Sequence, residues 1–548
     1  MARFVGAARQ GGGAFRRPLF FWLGVVAIVA GTGIHVPMFF AAADMGYRLV
    51  GMTVDGWMIF GMALIVVGLA AAAYGLVPEI DPEARARASH IRIRALDDAP
   101  LGRAHFVLLT VLAVAVLIDI IKPTTLGFVV PGMAEEYGLK SPLNPEGTIP
   151  VALLPLLGIA GTVVGSFAWG WMADRIGRRS TILLAALLFI ATAICGSMPT
   201  FGWNLIMCFV MGLSVGGMLP IAYALTAETI PARHRGLLMI LIGGDLSLAF
   251  FLTSWLSSWL QPQFGWRILW LIGAPTGLLL ILMSRWIPES PRFLLAAGRT
   301  GEAEQIMARF GATVVPMPEA SELAVEERIQ SRFSQLLRRP FAGLSAGLGL
   351  YAVAFGLVQF GFLLWLPSNM RALGFEAAAA DSLVARASLL GFPVTFLAAL
   401  LYAVWSSKKT LLLFASLTCA TLLGFAFMGE GIAGNTLLLQ GLVVVIIMGV
   451  STATTDLMPT YAAEVYPTTL RGRGSGFVAG ASKAGGVLGI GLVAAAITPP
   501  TLTGAALLGA IPMLLAIVAM AIYGVETRRR RLEEITASQV GQADRPPR

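Results

Sequence analysis

The sequence predicts an all-α integral membrane protein made of two six-helix repeats and an additional N-terminal two-helix hairpin, about fourteen transmembrane helices together. Three observations predict it: an apolar composition, a succession of apolar runs of spanning length, and an internal repeat. Of 548 residues, 57% are hydrophobic and only 13% are charged. No water-soluble core hides that much apolar surface, so the chain needs lipid as its solvent.

A helix crosses a bilayer with about 20 mostly apolar residues. Runs of that kind at 19–43 and 51–77 form the hairpin. Six more, at 104–133, 150–173, 180–198, 201–226, 237–260 and 266–287, make the first repeat. The second repeat holds the runs at 341–367, 380–404, 409–428, 434–459, 475–497 and 501–524. The repeat itself is legible at the level of residues. Ala227-Glu228-Thr229-Ile230-Pro231-Ala232-Arg233-His234-Arg235-Gly236 matches Ala463-Glu464-Val465-Tyr466-Pro467-Thr468-Thr469-Leu470-Arg471-Gly472 at five of ten positions, 236 residues apart. Arg178-Arg179-Ser180 returns as Lys408-Lys409-Thr410 at nearly the same offset. The chain therefore divides into a tail, hairpin and cytoplasmic linker (1–103), a six-helix bundle (104–287), a second cytoplasmic linker (288–340), another six-helix bundle (341–524) and a cytoplasmic tail (525–548). Parallel repeats of this kind place a substrate site midway between them.

Arg16-Arg17 precedes an apolar run that ends in Ala41-Ala42-Ala43, in the manner of a secretory signal. The run exceeds the ~7–15 apolar residues of such a signal, so it reads as a membrane helix. The net charge of +9 reports orientation rather than nucleic-acid binding. Of 39 Lys and Arg, 32 fall in loops that alternate to one side and four (Arg48, Lys140, Arg267, Arg371) on the other. Both termini are accordingly expected in the cytoplasm of a cell whose inner membrane holds the protein. Cys195, Cys208 and Cys419 lie in or beside apolar runs and read as small buried thiols. Neither a metal pattern nor a nucleotide-binding Gly-rich loop is present, which points to a gradient-driven device with no cofactor and no enzymatic chemistry. Within the second linker, Ala303, Ile306, Met307 and Phe310 follow helical spacing and predict a short amphipathic surface helix.

Charges inside the apolar runs carry the functional reading, because each costs ~2.5–3.5 kcal/mol at the bilayer centre unless it faces a partner or a cavity. Asp119 and Lys122 share one face of a helix beside Pro123. Two readings stand: mutual neutralisation, or a pathway in which Asp119 carries a proton and Lys122 meets substrate. Asp245, in Gly243-Gly244-Asp245, pairs with a lysine or binds protons. Lys483 sits among small residues (Gly480, Gly485, Gly486) about ten residues into its helix. Phe360, Trp365 and Tyr461 are candidates for a cavity wall, with packing as the alternative. Asp174 with Arg178, Glu228 with Arg235, and Glu464 with Arg471 lie at cytoplasmic helix ends, where they form a conformational gate or simple surface ion pairs.

Gly170-Trp171-Met172-Ala173-Asp174-Arg175-Ile176-Gly177-Arg178-Arg179 resembles the cytoplasmic signature of the major facilitator superfamily. Pro288-Glu289-Ser290-Pro291-Arg292-Phe293-Leu294 and Glu526-Thr527 resemble segments of its sugar porter and organic cation/anion transporter (synaptic-vesicle-2-like) branches. The second-repeat counterpart of the first signature, Ser406-Ser407-Lys408-Lys409, lacks the acidic residue. In the aromatic acid:proton symporter branch the helix of Asp119 carries two acids; here Lys122 replaces the second. The resemblance implies alternating access and proton-coupled symport of an organic anion by a monomer in the lipid bilayer. It places Lys483 at the substrate's anionic group, with Lys122 as a second site, and sets Asp119 in the place of the first acid; Tyr461, Phe360 and Trp365 beside the substrate and Asp245 as a second proton carrier are read from the residues alone. A neutral sugar or drug carrier, and a transporter-like receptor without flux, are the alternatives.

Overall fold

The computed structural model describes residues 17–77, 100–311, 333–450, 457–495 and 501–528, apart from 142, 143, 145, 232, 233, 235–237, 240, 243, 244, 298 and 467. The described chain is helical throughout its apolar runs. Eleven described helices are long and apolar enough to cross a membrane, and Phe201–Val215 and Thr436–Ile447 are shorter apolar helices.

The chain opens on α1 (Pro18–Ala41) and α2 (Gly56–Leu76). Asp55 starts α2 by accepting the Met58 N–H at 2.8 Å, which satisfies one of the donors a helix start leaves open. The two helices pack along a seam of glycines. A Cβ on Gly24 would meet the Gly68 carbonyl oxygen at 2.5 Å, and one on Gly31 the Gly61 carbonyl oxygen at 2.6 Å. Small residues let backbones touch where lipid offers no hydrophobic drive for association. Leu23, Val26, Val66 and Val67 point outward from the pair, as a lipid-facing surface requires. Thr32 Oγ1 donates to the Ile190 carbonyl at 3.3 Å and so ties α1 to the chain's third apolar helix pair.

The first repeat supplies α3 (Arg103–Glu136), α4 (Leu153–Ile176), α5 (Arg178–Ala191), α6 (Phe201–Val215), α7 (Met218–Thr229), α8 (Asp245–Phe264) and α9 (Gly273–Met283). Gly216 and Gly217 separate α6 from α7. The linker holds α10 (Pro291–Ala296) and α11 (Thr300–Arg309), the latter with Ala303 and Met307 buried as its spacing predicts. His105, at the start of α3, accepts the Gly102 N–H at 3.0 Å and sets its ring edge-on to Phe310, so the linker is held to the bundle.

The second repeat begins with a broken helix. α12 (Ala342–Leu357) passes into a π-helical turn (Val358–Phe362) and a 3-10 turn (Leu363–Trp365) before α13 (Leu366–Ala372). Such wide turns accompany functional sites. α14 (Ala377–Val404), α15 (Ser407–Met428), α16 (Thr436–Val450), α17 (Met458–Val465), α18 (Thr468–Ala495) and α19 (Leu502–Tyr523) complete it. α14 starts three residues earlier than its apolar run, so Asp381 sits in the second turn of the helix.

Two compact units result. Met1–Asp119, Val164–Arg235 and Trp270–Met317 form one, and Ile120–Val163, Gly236–Leu269 and Pro318–Arg548 the other. The second unit thus contains the distal part of α3, the first half of α4, and α8, together with the whole second repeat.

Candidate functional site

Within the second unit, Lys122, Phe360 and Lys483 belong to helices that meet at one junction. α3 approaches the irregular segment after α12: a Cβ on Gly127, five residues beyond Lys122, would sit 3.1 Å from the Leu364 carbonyl oxygen. α18 approaches the same segment from another side. A Cβ on Gly485 would strike the Val353 backbone, and one on Gly486 would strike Ile159 of α4 and the Phe360 ring. The small neighbours of Lys483 therefore seat helices, while Gly480 has open space beside it. Lys122 is 4% exposed and Asp119 3%, so both are held inside the protein. Lys483 and Phe360 are half-buried.

Two aromatic residues expected on a cavity wall stand elsewhere. Tyr461 is fully buried, and its hydroxyl donates to the Val525 carbonyl at 2.6 Å while accepting the Val525 N–H at 2.7 Å. It fastens the segment after α19 and presents nothing to a solute. Trp365 is fully buried at the end of the 3-10 turn, where it packs the broken helix instead of lining a cavity.

The motif residues at the helix ends divide into two clasps. In the first unit, Glu289 Oε1 accepts the N–H groups of Arg178 at 2.7 Å, Arg179 at 3.4 Å and Ser290 at 2.9 Å. A carboxylate there meets the positive end of α5. Gly177, with φ of +97°, makes the sharp entry, and a Cβ on it would collide with the Glu289 carboxylate. Arg178 Nη1 donates back to the Ala173 carbonyl at 3.3 Å. Burial pushes the Glu289 carboxyl above its ordinary value, against the pull of the N–H donors.

In the second unit, Glu526 does the same for α15. Its Oε1 accepts the Ser407 N–H at 2.9 Å and the Ser407 hydroxyl at 2.6 Å, and its Oε2 accepts the Ser406 hydroxyl. An acid from the far end of the repeat thus meets Ser406-Ser407-Lys408-Lys409, as Glu289 meets the first signature. Burial works against the charge, yet the Ser406 and Ser407 hydroxyls and the N–H groups of Arg528 and Ser407 outweigh it and hold Glu526 at about 2. Beside it, Glu464 Oε2 accepts the hydroxyls of Tyr402 and Thr527, each at 2.7 Å. Arg235 lies outside the described residues. For Asp174, Glu228, Asp245 and Arg471 the description covers the helical backbone.

The sequence reading missed two clusters at the opposite helix ends. Arg267 and Glu136 form a buried two-pronged ion pair, Nη2 to Oε1 at 2.7 Å and Nε to Oε2 at 3.1 Å. Trp266 and Tyr137 complete that ring of bonds. Asp381 accepts from Ser257 across α8 and α14. Its signal was faint: a single acid just inside an apolar run, with a neutral partner 124 residues away.

Comparison with known proteins agrees with this architecture. The sequence profile of the Major Facilitator Superfamily matches residues 112–490. The niacin transporter NiaP of Acinetobacter baylyi is 27% identical over 402 residues, 72% of this chain and 88% of that protein. The 4-hydroxybenzoate transporter PcaK of the same organism is 28% identical over 412 residues, 72% of this chain and 85% of that protein. The proton:xylose symporter XylE superposes with a TM-score of 0.62 at 17% identity, covering 79% of this chain and 99% of XylE, which speaks to the fold. With more than half of its length matched, this chain belongs to the Major Facilitator Superfamily and is a multi-pass membrane transporter.

Proposed function

We propose that the protein carries a small organic anion, a carboxylate or aromatic acid, by proton-coupled symport and alternating access across a bacterial inner membrane. The observation that carries this is Lys483, a half-buried cation deep in α18 at the junction of α4, α12 and α18. Ionisable groups within a span mark solute pathways, and an ammonium among small residues there is suited to a substrate carboxylate. Lys122 is the second cation, from α3, and Asp119 and Asp245 are the proton carriers. Two of the relatives carry names of aromatic acids, niacin and 4-hydroxybenzoate. Fourteen transmembrane helices, the N-terminal hairpin among them, and cytoplasmic termini on the face of the basic loops belong to the same reading, as does function as a monomer. Asp174, Arg178, Glu228, Arg235, Glu464 and Arg471 belong to the gate on that face.

Proteoliposomes with an imposed pH gradient test it. Uptake of a labelled aromatic carboxylate is expected, competed by other carboxylates and not by sugars or cations. Lys483→Ala is expected to cut that uptake at least about tenfold, the scale of one lost charge-assisted contact, while Lys483→Arg retains part of it. Wild-type uptake by Lys483→Ala, or competition by cations alone, refutes the anion assignment.

A further inference from the structure

A chain of hydrogen bonds crosses from the first repeat to the second inside the second unit. Gln261 Nε2, near the end of α8, donates to the Phe128 carbonyl of α3 at 3.1 Å and to the Ser257 hydroxyl. Ser257 Oγ donates to Asp381 Oδ2 of α14 at 2.7 Å. Arg371 Nη2 of α13 reaches the same oxygen at 3.5 Å. The Asp381 side chain is 2% exposed and that of Arg371 11%. Four helices, two from each repeat, are therefore joined through one carboxylate. All of these groups lie toward the ends at which α3 and α8 finish and α14 starts.

The chemistry of this chain differs from that of its neighbour, the Glu136 and Arg267 pair. That pair bonds both carboxylate oxygens, and a fully satisfied buried network is rigid. Asp381 Oδ1 and Arg371 Nε are buried and have no hydrogen-bond partner among the described residues. A half-satisfied network is costly to keep buried, so little free energy separates the joined state from one in which α8 and α14 part and water reaches both groups. One pair is built to stay, the other to release.

We propose that Asp381 is a positioning residue of the transport cycle, the centre of a latch that holds α8 of the first repeat to α14 of the second and closes the face away from the basic loops. This rests on the alternating-access reading above. Loss of the Asp381 bonds shifts the population toward the state open on that face. Substrate contact is no part of the role.

The test uses the full chain with Cys195, Cys208 and Cys419, all buried, replaced by alanine. Thr253→Cys is the reporter, buried one turn from Ser257 on the same face of α8. A membrane-impermeant thiol reagent, added separately to each side, is expected to label the reporter from the latch face about tenfold faster in Asp381→Ala, and about as much faster in Ser257→Ala, the scale of one lost buried hydrogen bond. Ser257→Ala guards against misfolding of the more drastic variant. Unchanged labelling in both, or labelling gained only from the basic-loop face, overturns the latch. In the reporter-free background, Ser257→Cys with Asp381→Cys is bridged by a short reducible bis-thiol reagent. Flux is expected to stop and to return on reduction; flux that continues through the bridged protein overturns the latch. A carrier that moves no anion but responds in the labelling arm refutes the proposed substrate and leaves the latch standing.

Discussion

Glu289 and Glu526 occupy corresponding places, 237 residues apart in a chain whose motif repeats at 236, and each holds the start of a helix from beyond the end of its own repeat. Their surroundings differ. Among the described residues Glu289 takes backbone N–H donors from α5 and its own neighbour and feels the Arg178 charge, yet burial still pushes its carboxyl up. Glu526 adds two serine hydroxyls, and its carboxyl falls to about 2 in spite of burial. The second clasp is also backed by Thr527 on Glu464 and by Val525 on Tyr461. One architectural task has been met once by a charge under strain and once by a charge at ease. The lesson is that repeat symmetry preserves the geometry of a clasp without preserving how firmly it is shut.

The largest effect expected from this difference is at Glu289. Glu289→Ala strands three N–H groups, each costing ~1–3 kcal/mol where it stays out of water. Uptake is expected to fall about tenfold or more in a protein that still inserts, while Glu289→Gln, which keeps an acceptor oxygen, recovers much of it. Equal losses in the two variants mean that charge rather than capping is what Glu289 supplies. A smaller loss, about threefold, is expected for Glu526→Ala, because the Thr527 and Tyr461 contacts keep the segment in place. A loss at Glu526 that matches the loss at Glu289 breaks the comparison.

Much of this was legible in the sequence, and the gaps have physical causes. Apolar runs mark helices because lipid leaves the backbone no other partner, and the eleven long apolar helices among the described residues stand where runs are. The amphipathic linker helix followed from spacing alone. The clasps were legible only in halves: both motifs stood out, but nothing local says that Glu289 meets residues 110 and 111 positions earlier. Aromatics in apolar runs carry no mark of which way they face, which is why Tyr461 and Trp365 were misplaced. Asp381 was passed over because it stands alone at the very start of its run, where an acid looks like a helix-end charge, and its partner Ser257 lies 124 residues away.

The smallest effect is also the sharpest test, because the two carboxyls respond to pH in opposite senses. Glu526 has a folded value of about 2, below the ~4.3 of a free glutamate, so its contribution is complete above ~4.3 and is lost only as pH falls through 2. Glu289 is raised, so its contribution is greatest below ~4.3 and declines as pH rises through its folded value. Between pH 4.3 and pH 7 the second clasp is therefore constant and the first one loosens. Ser180→Cys and Thr410→Cys report on the two, since both residues are buried in the first turns of α5 and α15. Each is measured in the background without native cysteines, and the ratio of their labelling rates cancels the ionisation common to both thiols. That ratio, residue 180 over residue 410, is expected to rise from pH 4.5 to pH 7. In a Glu289→Gln background, where nothing titrates at that position, the rise should vanish. A flat ratio in the parent protein, or one that falls with pH, shows that Glu289 is as comfortably charged as Glu526 and that the two clasps are equally firm.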